Sequence, residues 1–400
     1  MAASKKNTKS KSKKKVTKSP KSNKAKAPKK AKSSPAKAKP ASKKKAAAKK
    51  APAKKAAVKK PAAEKQSTPS KTPKKSGPKA LTRNFLQDIA QTIKDAVAPA
   101  IADLKGQEIV GLAPSGDTTF EIDLIAEKAL LNFLKNAKAP VAYYSEEAGY
   151  TTFTNTQPTN LLVIDPIDGT RAAKSGFEGC CVSICSTRII ERPTIGDIDN
   201  ALVMELVGNR MFYAEKGNSV RYYVNGHSRK IRVRENDNLE ELTWSMTVPA
   251  RPAELIFPAA ATLIDITSLK GGFFACNSSS FSITRLVSGQ MDCAIDVANR
   301  FYRDIPMVVE DYFINAGRGN VLGSCPYDFA AALIIAEEAG CVVTDAYGKS
   351  LHDVLLLDSS QNNFHSIIAA STPTMHRQIF EYFDTRIIQL ENLLKKKSPK

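Results

Sequence analysis

Apolar residues begin to recur with a period only after residue 81. Phe85, Leu86, Ile89, Ile93, Ala96 and Val97 stand three and four apart, which predicts a helix that opens near Thr82 and is disturbed at Pro99. A second stripe, Ile122, Ile125, Ala126, Ala129, Leu130 and Phe133, predicts another helix, with Thr118-x-x-Glu121 as a capping box at its start and Asp123 beside the stripe. Val141 to Ser145 and Leu161 to Ile164 are short apolar runs of the kind that form buried strands. The first runs into Glu146-Glu147 and the second into Asp165. Further on, Phe329 to Ala339 reads as a helix with Asp328 at its N-terminus and Gly340 as its stop, before a strand from Cys341 to Thr344.

Residues 1–80 show no such period. They hold 30 lysines, no arginine, one acid (Glu64), nine prolines and no Leu, Ile, Phe, Tyr or Trp. That composition buries too little apolar surface to offset the entropy of ordering, so a disordered tail is expected. The tail carries +29; subtracted from the whole-chain +21, this leaves the other 320 residues at −8. Its repeated Lys-Lys, Ala-Lys and Ser/Thr-Pro elements, as in Ser19-Pro20-Lys21 and Thr72-Pro73-Lys74-Lys75, resemble the tails of linker histones and lysine-rich nucleoid proteins. Lysine without aromatic neighbours suits sequence-blind, salt-sensitive binding of nucleic acid or another polyanion; a merely solvated tether is the other reading.

No apolar run approaches the roughly 18 residues of a membrane span, and no apolar stretch follows the basic start as a signal peptide requires. Seven cysteines without a Cys-x-x-Cys pair and four scattered histidines give neither a disulfide framework nor a zinc site. Those in the apparent strands, Cys180, Cys181, Cys185 and Cys341, read as small core residues. An intracellular, cytoplasmic protein is expected, with the basic tail as a route to nuclear or nucleoid association. The folded part is expected to span 81–400, divided near 81–240 and 241–400.

Asp165-Pro166-Ile167-Asp168-Gly169-Thr170 is the most informative segment. Two carboxylates separated by a stiff turn can converge on one cation, or serve simply as capping and hydrogen-bonding groups. Gly169-Thr170-Arg171 can open a helix and present N–H groups to a phosphate. Together with Glu146-Glu147 upstream and Asp328 opening a helix that ends Glu338-Ala339-Gly340, the segment resembles the inositol monophosphatase superfamily of Mg2+-dependent, lithium-sensitive phosphatases. The resemblance covers about residues 82–395 and is nearest the archaeal-type fructose-1,6-bisphosphatase/inositol monophosphatase branch. It implies an α+β fold of layered helices and sheets in two lobes, and a homodimer. It also implies that Glu146, Asp165, Asp168, Asp328 and the Ile167 carbonyl hold two or three Mg2+ ions, and that Asp123, Thr170 and Glu146 orient and deprotonate the attacking water.

The reaction so implied is hydrolysis of a small sugar or inositol phosphate, of the inositol-1-phosphate or fructose-1,6-bisphosphate type, with Asp168, Gly169, Thr170, Ser279 and Asp296 against the substrate. For Asn277 to Ser280 a plain helix cap is the competing reading. Arg300, Arg303 and Arg318, in a long segment before Asp328, are candidates to grip a second phosphate. Asn315-Ala316-Gly317 to Gly323 only approximates a dinucleotide fingerprint and reads as a glycine-bearing loop. Arg171-Ala172-Ala173, Tyr327 and Cys341 depart from the inositol phosphatase pattern without removing a ligand. That leaves a phosphatase of 3′-phosphoadenosine 5′-phosphate or NADP as an alternative. A nucleic-acid-associated binding protein with a phosphatase-like domain is the alternative of another class.

Overall fold

The structure, a computed structural model, describes residues 79–152, 157–218 and 220–397. The expectation for the basic tail lies outside these residues, which begin at Lys79. The described residues form one compact unit.

The first half runs α1 (Arg83–Ala102), β1 (Ile109–Leu112), β2 (Thr118–Phe120), α2 (Glu121–Ala137), β3 (Val141–Ser145), β4 (Gly149–Thr152), β5 (Asn160–Asp168), α3 (Thr170–Ala173), β6 (Cys181–Thr187), β7 (Asn200–Glu205), β8 (Arg210–Glu215), β9 (Val220–Val224) and β10 (His227–Arg229). The second half runs β11 (Thr243–Thr247), α4 (Ala253–Thr267), β12 (Gly272–Cys276), α5 (Ser279–Ser288), β13 (Cys293–Asp296), α6 (Ala298–Asp304), α7 (Pro306–Ala316), α8 (Pro326–Glu338), β14 (Val342–Thr344), β15 (Ile367–Ala370) and α9 (Pro373–Lys397).

β3 to β10 make an eight-stranded sheet, ordered β10-β9-β8-β7-β6-β5-β3-β4 and antiparallel except for the β3/β5 pair. The second sheet, β12-β11-β13-β15-β14, is parallel across its first three strands and antiparallel across the rest. The period of two in β5 sorts its side chains: Leu162 and Ile164 pack with α1 and α2, whereas Leu161 and Val163 pack with α5 and α8. Beyond that middle helical layer lies the second sheet, where Ala294 and Ala369 face α5 and α8 and Trp244 and Ile368 face α4, α6, α7 and α9. Helices and sheets therefore alternate in five layers, as the α+β expectation requires. The strands divide between the sheets near residue 240, but both middle helices come from the second half.

Burial on both sides explains why α8, PYDFAAALIIAEE, reads as apolar all round, with ten of its 13 residues buried. α1 continues through Pro99, because the proline is exposed near the helix end and buried Ala100 and Ile101 hold the last turn against the core. The capping box expected of Thr118 and Glu121 is not the one that forms. Thr118 lies in β2, the helix opens at Glu121, and Asp123 at its third position accepts the Phe120 N–H (2.8 Å).

Candidate active site

Residues three apart on a regular strand point to opposite faces. β5 evades this at its end: Asp165 pairs with Ser183 and Asp168 with Cys181, so three steps on β5 match two on β6. This bulge, at a proline that has no N–H to give the ladder, brings both aspartates to one side. α8 brings the third, Asp328, whose carboxylate accepts the Cys325 N–H (2.6 Å) as an N-terminal cap. Ligand atoms of Asp165, Asp168 and Asp328 all lie within 4.8 Å of one another.

The surroundings fix each carboxylate differently. The Ile167 N–H donates to Asp165 Oδ1 (2.9 Å). Asp168 Oδ2 accepts from the Ser278 hydroxyl (2.6 Å) and the Ser280 N–H (2.7 Å), at the N-terminus of α5. Ser278 also caps that helix by accepting the Phe281 N–H (2.9 Å). The Thr170 hydroxyl lies 2.9 Å from Asp123 Oδ1 and 3.1 Å from the Ile167 carbonyl, and its single proton can serve only one of them. Gly169 makes the turn possible. Its φ is 97°, and a Cβ there would stand 2.5 Å from the Gly179 carbonyl oxygen.

These acids are short of positive charge. Burial, and then Asp165 and Asp328, push Glu146 well above the usual carboxylate range. Burial followed by Asp168 does the same to Asp165 and to Asp328. Asp168 is raised by burial to about 7, against the opposing serine hydrogen bonds. Asp123 is also raised by burial to about 7, against the Phe120 N–H and Thr170. An all-oxygen set of buried, mutually repelling carboxylates either takes up protons or binds hard cations, and its chemistry fits Mg2+.

Glu146, Asp168, Arg171, Arg251, Ser279 and Asp328 line one cleft. Glu146, Asp165, Asp168 and Asp328, with Asp123 and Thr170 at the edge, are thus brought together, and Gly169 and Ser279 adjoin them. Asp296 stands elsewhere: it is buried at the end of β13 and is not among the cleft-lining side chains. Its Oδ2 accepts from Arg251 Nε (3.1 Å), Arg251 Nη2 (3.0 Å) and Ser324 Oγ (3.0 Å). Asp296 therefore holds Arg251 and Ser324 in the cleft wall through Oδ2, while its Oδ1 accepts the Ala298 N–H (3.2 Å). The candidate arginines stand outside the cleft lining. Arg300 is committed to Asp384 (2.6 Å) and the Ala346 carbonyl (2.6 Å), and Arg303 to the Phe364 carbonyl (2.7 Å). Arg318 occupies a left-handed turn outside the cleft lining.

Sequence reasoning missed Arg251 and Asp117, which pairs with Arg171 at 3.0 Å, and had Ser278 and Ser280 only as part of a serine run that caps a helix. Arg251 follows the end of β11, and strand ends that face a cleft are where such residues gather; that was its only sequence signal. The seven cysteines are free, six of them buried.

The profile of the inositol monophosphatase family matches residues 79–387. Among curated proteins, the chain is 25% identical to the bifunctional NADP phosphatase/NAD kinase of Methanococcus maripaludis, over 75% of this chain and 48% of that protein. The chain thus spans about half the length of that relative. It is 22% identical to the fructose-1,6-bisphosphatase/inositol-1-monophosphatase of Methanothermobacter thermautotrophicus, over 73% of this chain and 93% of the relative. Among solved structures, the extragenic suppressor protein SuhB of Bartonella henselae superposes with a TM-score of 0.56 at 17% identity, over 75% of this chain and 97% of that one. The Thermotoga maritima IMPase gives 0.54 at 18%, over 77% and 98%.

Proposed function

The chain belongs to the inositol monophosphatase family, and from that premise we propose that it is a Mg2+-dependent phosphomonoesterase acting on a small sugar or inositol phosphate. One observation carries the reading: three carboxylates converge within 4.8 Å beside the Asp123–Thr170 pair.

Two or three Mg2+ ions would be held by Glu146, Asp165, Asp168, Asp328 and the Ile167 carbonyl. Bound there, they supply positive charge to the phosphoryl oxygens and make water more acidic. The protein's own residues do the rest. Thr170 accepts a hydrogen bond from the attacking water and passes its own proton toward Asp123, and Glu146 orients the same water from the other side. The N–H groups of Gly169 and Thr170, where the chain turns into α3, hold phosphoryl oxygens, Ser279 lines the cleft beside them, and Arg251 adds fixed positive charge. Water attacks in line, the P–O bond to the alcohol breaks, and the alcohol leaves with a proton.

The experiment is phosphate release by the full chain, with Mg2+ and with EDTA, from inositol-1-phosphate, fructose-1,6-bisphosphate, 3′-phosphoadenosine 5′-phosphate and NADP. Turnover that needs Mg2+ and vanishes in Asp165→Asn supports the reading; turnover in EDTA overturns it. A nucleotide phosphate is the second reading, favoured by the name of the Methanococcus relative. The complete carboxylate set weighs against a binding protein without catalysis.

Two association properties belong to the proposal. Phe177 (70% exposed) and Phe274 (50%) flank one cavity and offer an apolar face to a second copy. Sedimentation of Phe274→Asp as a monomer would support a homodimer built there. Residues 1–80 would bind polyanions, with affinity falling steeply as salt rises. Among the described residues no helix is long and apolar enough to cross a membrane.

A further inference from the structure

Arg251 lines two cavities. One is the catalytic cleft; the other is an open cavity of about 520 Å3, between the start of α4 and the face of α7, lined also by Glu254, Asp311, Tyr312 and Asn315. Its volume falls within the range of small-molecule sites. We propose that this second cavity is a subsite for a nucleobase, occupied by the distal part of a nucleoside-bearing phosphate ester whose phosphate lies in the cleft.

Three observations converge on that class. Arg251 is held by three hydrogen bonds, two to Asp296 and one to Ser324, so the residue that the two cavities share stays in place. The far side offers an aromatic ring, the half-buried Tyr312, and three acceptor-bearing side chains, Glu254, Asp311 and Asn315. None of these four makes a side-chain hydrogen bond or ion pair within the described protein, so all are available to a ligand. Two exposed carboxylates repel a second phosphate, which excludes this cavity as an anion site. They do accept hydrogen bonds from exocyclic amino groups, and an aromatic side chain stacks on any base. A planar, neutral, amino-bearing ring satisfies both demands; a second phosphoryl group or a plain alkyl chain satisfies neither. Inositol-1-phosphate is too compact to need the annex. α6 and α7, the paired helices between β13 and α8, thereby acquire a purpose: α7 supplies Asp311, Tyr312 and Asn315.

The inference rests on the phosphatase reading in its second, nucleotide form, and its test separates the subsite from the phosphatase activity. kcat and KM are measured on the full chain for NADP and inositol-1-phosphate, with wild type, Tyr312→Ala, Tyr312→Phe and Asp165→Asn. Tyr312→Ala is expected to raise KM for NADP about 5- to 150-fold, the worth of one stacked base, with kcat unchanged. Tyr312→Phe should restore the wild-type value, and inositol-1-phosphate should be indifferent to both. An equal effect on the two substrates, no effect on either, or no turnover of NADP by a wild type that hydrolyses inositol-1-phosphate overturns the subsite. Should no substrate be hydrolysed, or should Asp165→Asn stay active, the phosphatase reading is what fails. Equilibrium binding of NAD+ then decides the annex: binding by wild type that is lost in Tyr312→Ala upholds it, and binding that is absent or unaltered overturns it.

Discussion

Asp168 divides its labour between two oxygens. Oδ2 is held by Ser278 and Ser280, which leaves Oδ1 for a cation. Ser278→Ala removes both a helix cap and a carboxylate clamp. It should cost about 0.5–2 kcal/mol of stability and weaken Mg2+ affinity about 10- to 100-fold, read from unfolding curves and from activity against Mg2+ concentration. Arg251 and Asp296 make a similar pair in which neither side chain is dispensable alone. Asp296→Ala leaves a buried guanidinium unpaired and should destabilise by about 3–5 kcal/mol, whereas Arg251→Met combined with it should recover most of that in denaturant titrations, since a buried ion pair replaced whole is often neutral. The first of these arrangements was half legible. The spacing of Asp165, Asp168 and Thr170 announced a site, and a run of serines suggested a cap. The partners of Arg251 lie 45 and 73 residues away in sequence, a separation no local pattern encodes.

At the level of elements, periodicity spoke clearly where one face is buried, as in α1 and α2, and where strands run through the core, as in β3 and β5. It spoke least where short helices follow one another. α6 and α7 have no strong stripe, and in the sequence their segment shows only three arginines and a glycine-bearing loop. The misread cap at α2 has a physical cause: Thr118 does satisfy the sequence pattern, but its residue is drawn into pairing with β1, so the helix opens three residues later. α9 carries its own testable feature. Glu391 is buried on it, and burial, then Asp304, raise its carboxyl from 4.5 to about 7, with Lys395 and Arg300 opposing. A carboxyl whose folded value is raised contributes stability in full below its unfolded value and loses it as pH climbs through the folded one. Thermal stability should therefore fall by a few degrees, roughly 2–6 °C, between pH 5 and pH 8. Glu391→Gln should reduce that slope and leave the part due to the raised cleft acids, as scanning calorimetry at both pH values would show.

For the whole molecule, five alternating layers place the reactive groups at the seam between the sheets, where β5, α5 and α8 meet. The same crowding of acids that readies the cleft for cations burdens the metal-free fold. In EDTA, Asp165→Asn should melt higher than wild type, because it removes one of several buried carboxylates that repel one another. Mg2+ at a hundred times its dissociation constant should stabilise wild type by about 2.7 kcal/mol and the variant by much less. Calorimetry with and without the ion checks both signs at once. The order of the layers was foreseeable only through the family resemblance; alternating helix and strand signals fit several architectures, and nothing local says which sheet a strand joins.

The bulge at the end of β5 has a consequence for how such a chain can vary over generations. Exchanging one side chain there is a graded change, felt as weaker binding or slower turnover. Gaining or losing a single residue between Asp165 and Asp168 is of another kind, because it alters odd into even and turns one aspartate toward the wrong side of the sheet. The loops around this strand can therefore lengthen and its helices be redecorated without disturbing the cleft, but the count of residues across those four positions admits no change.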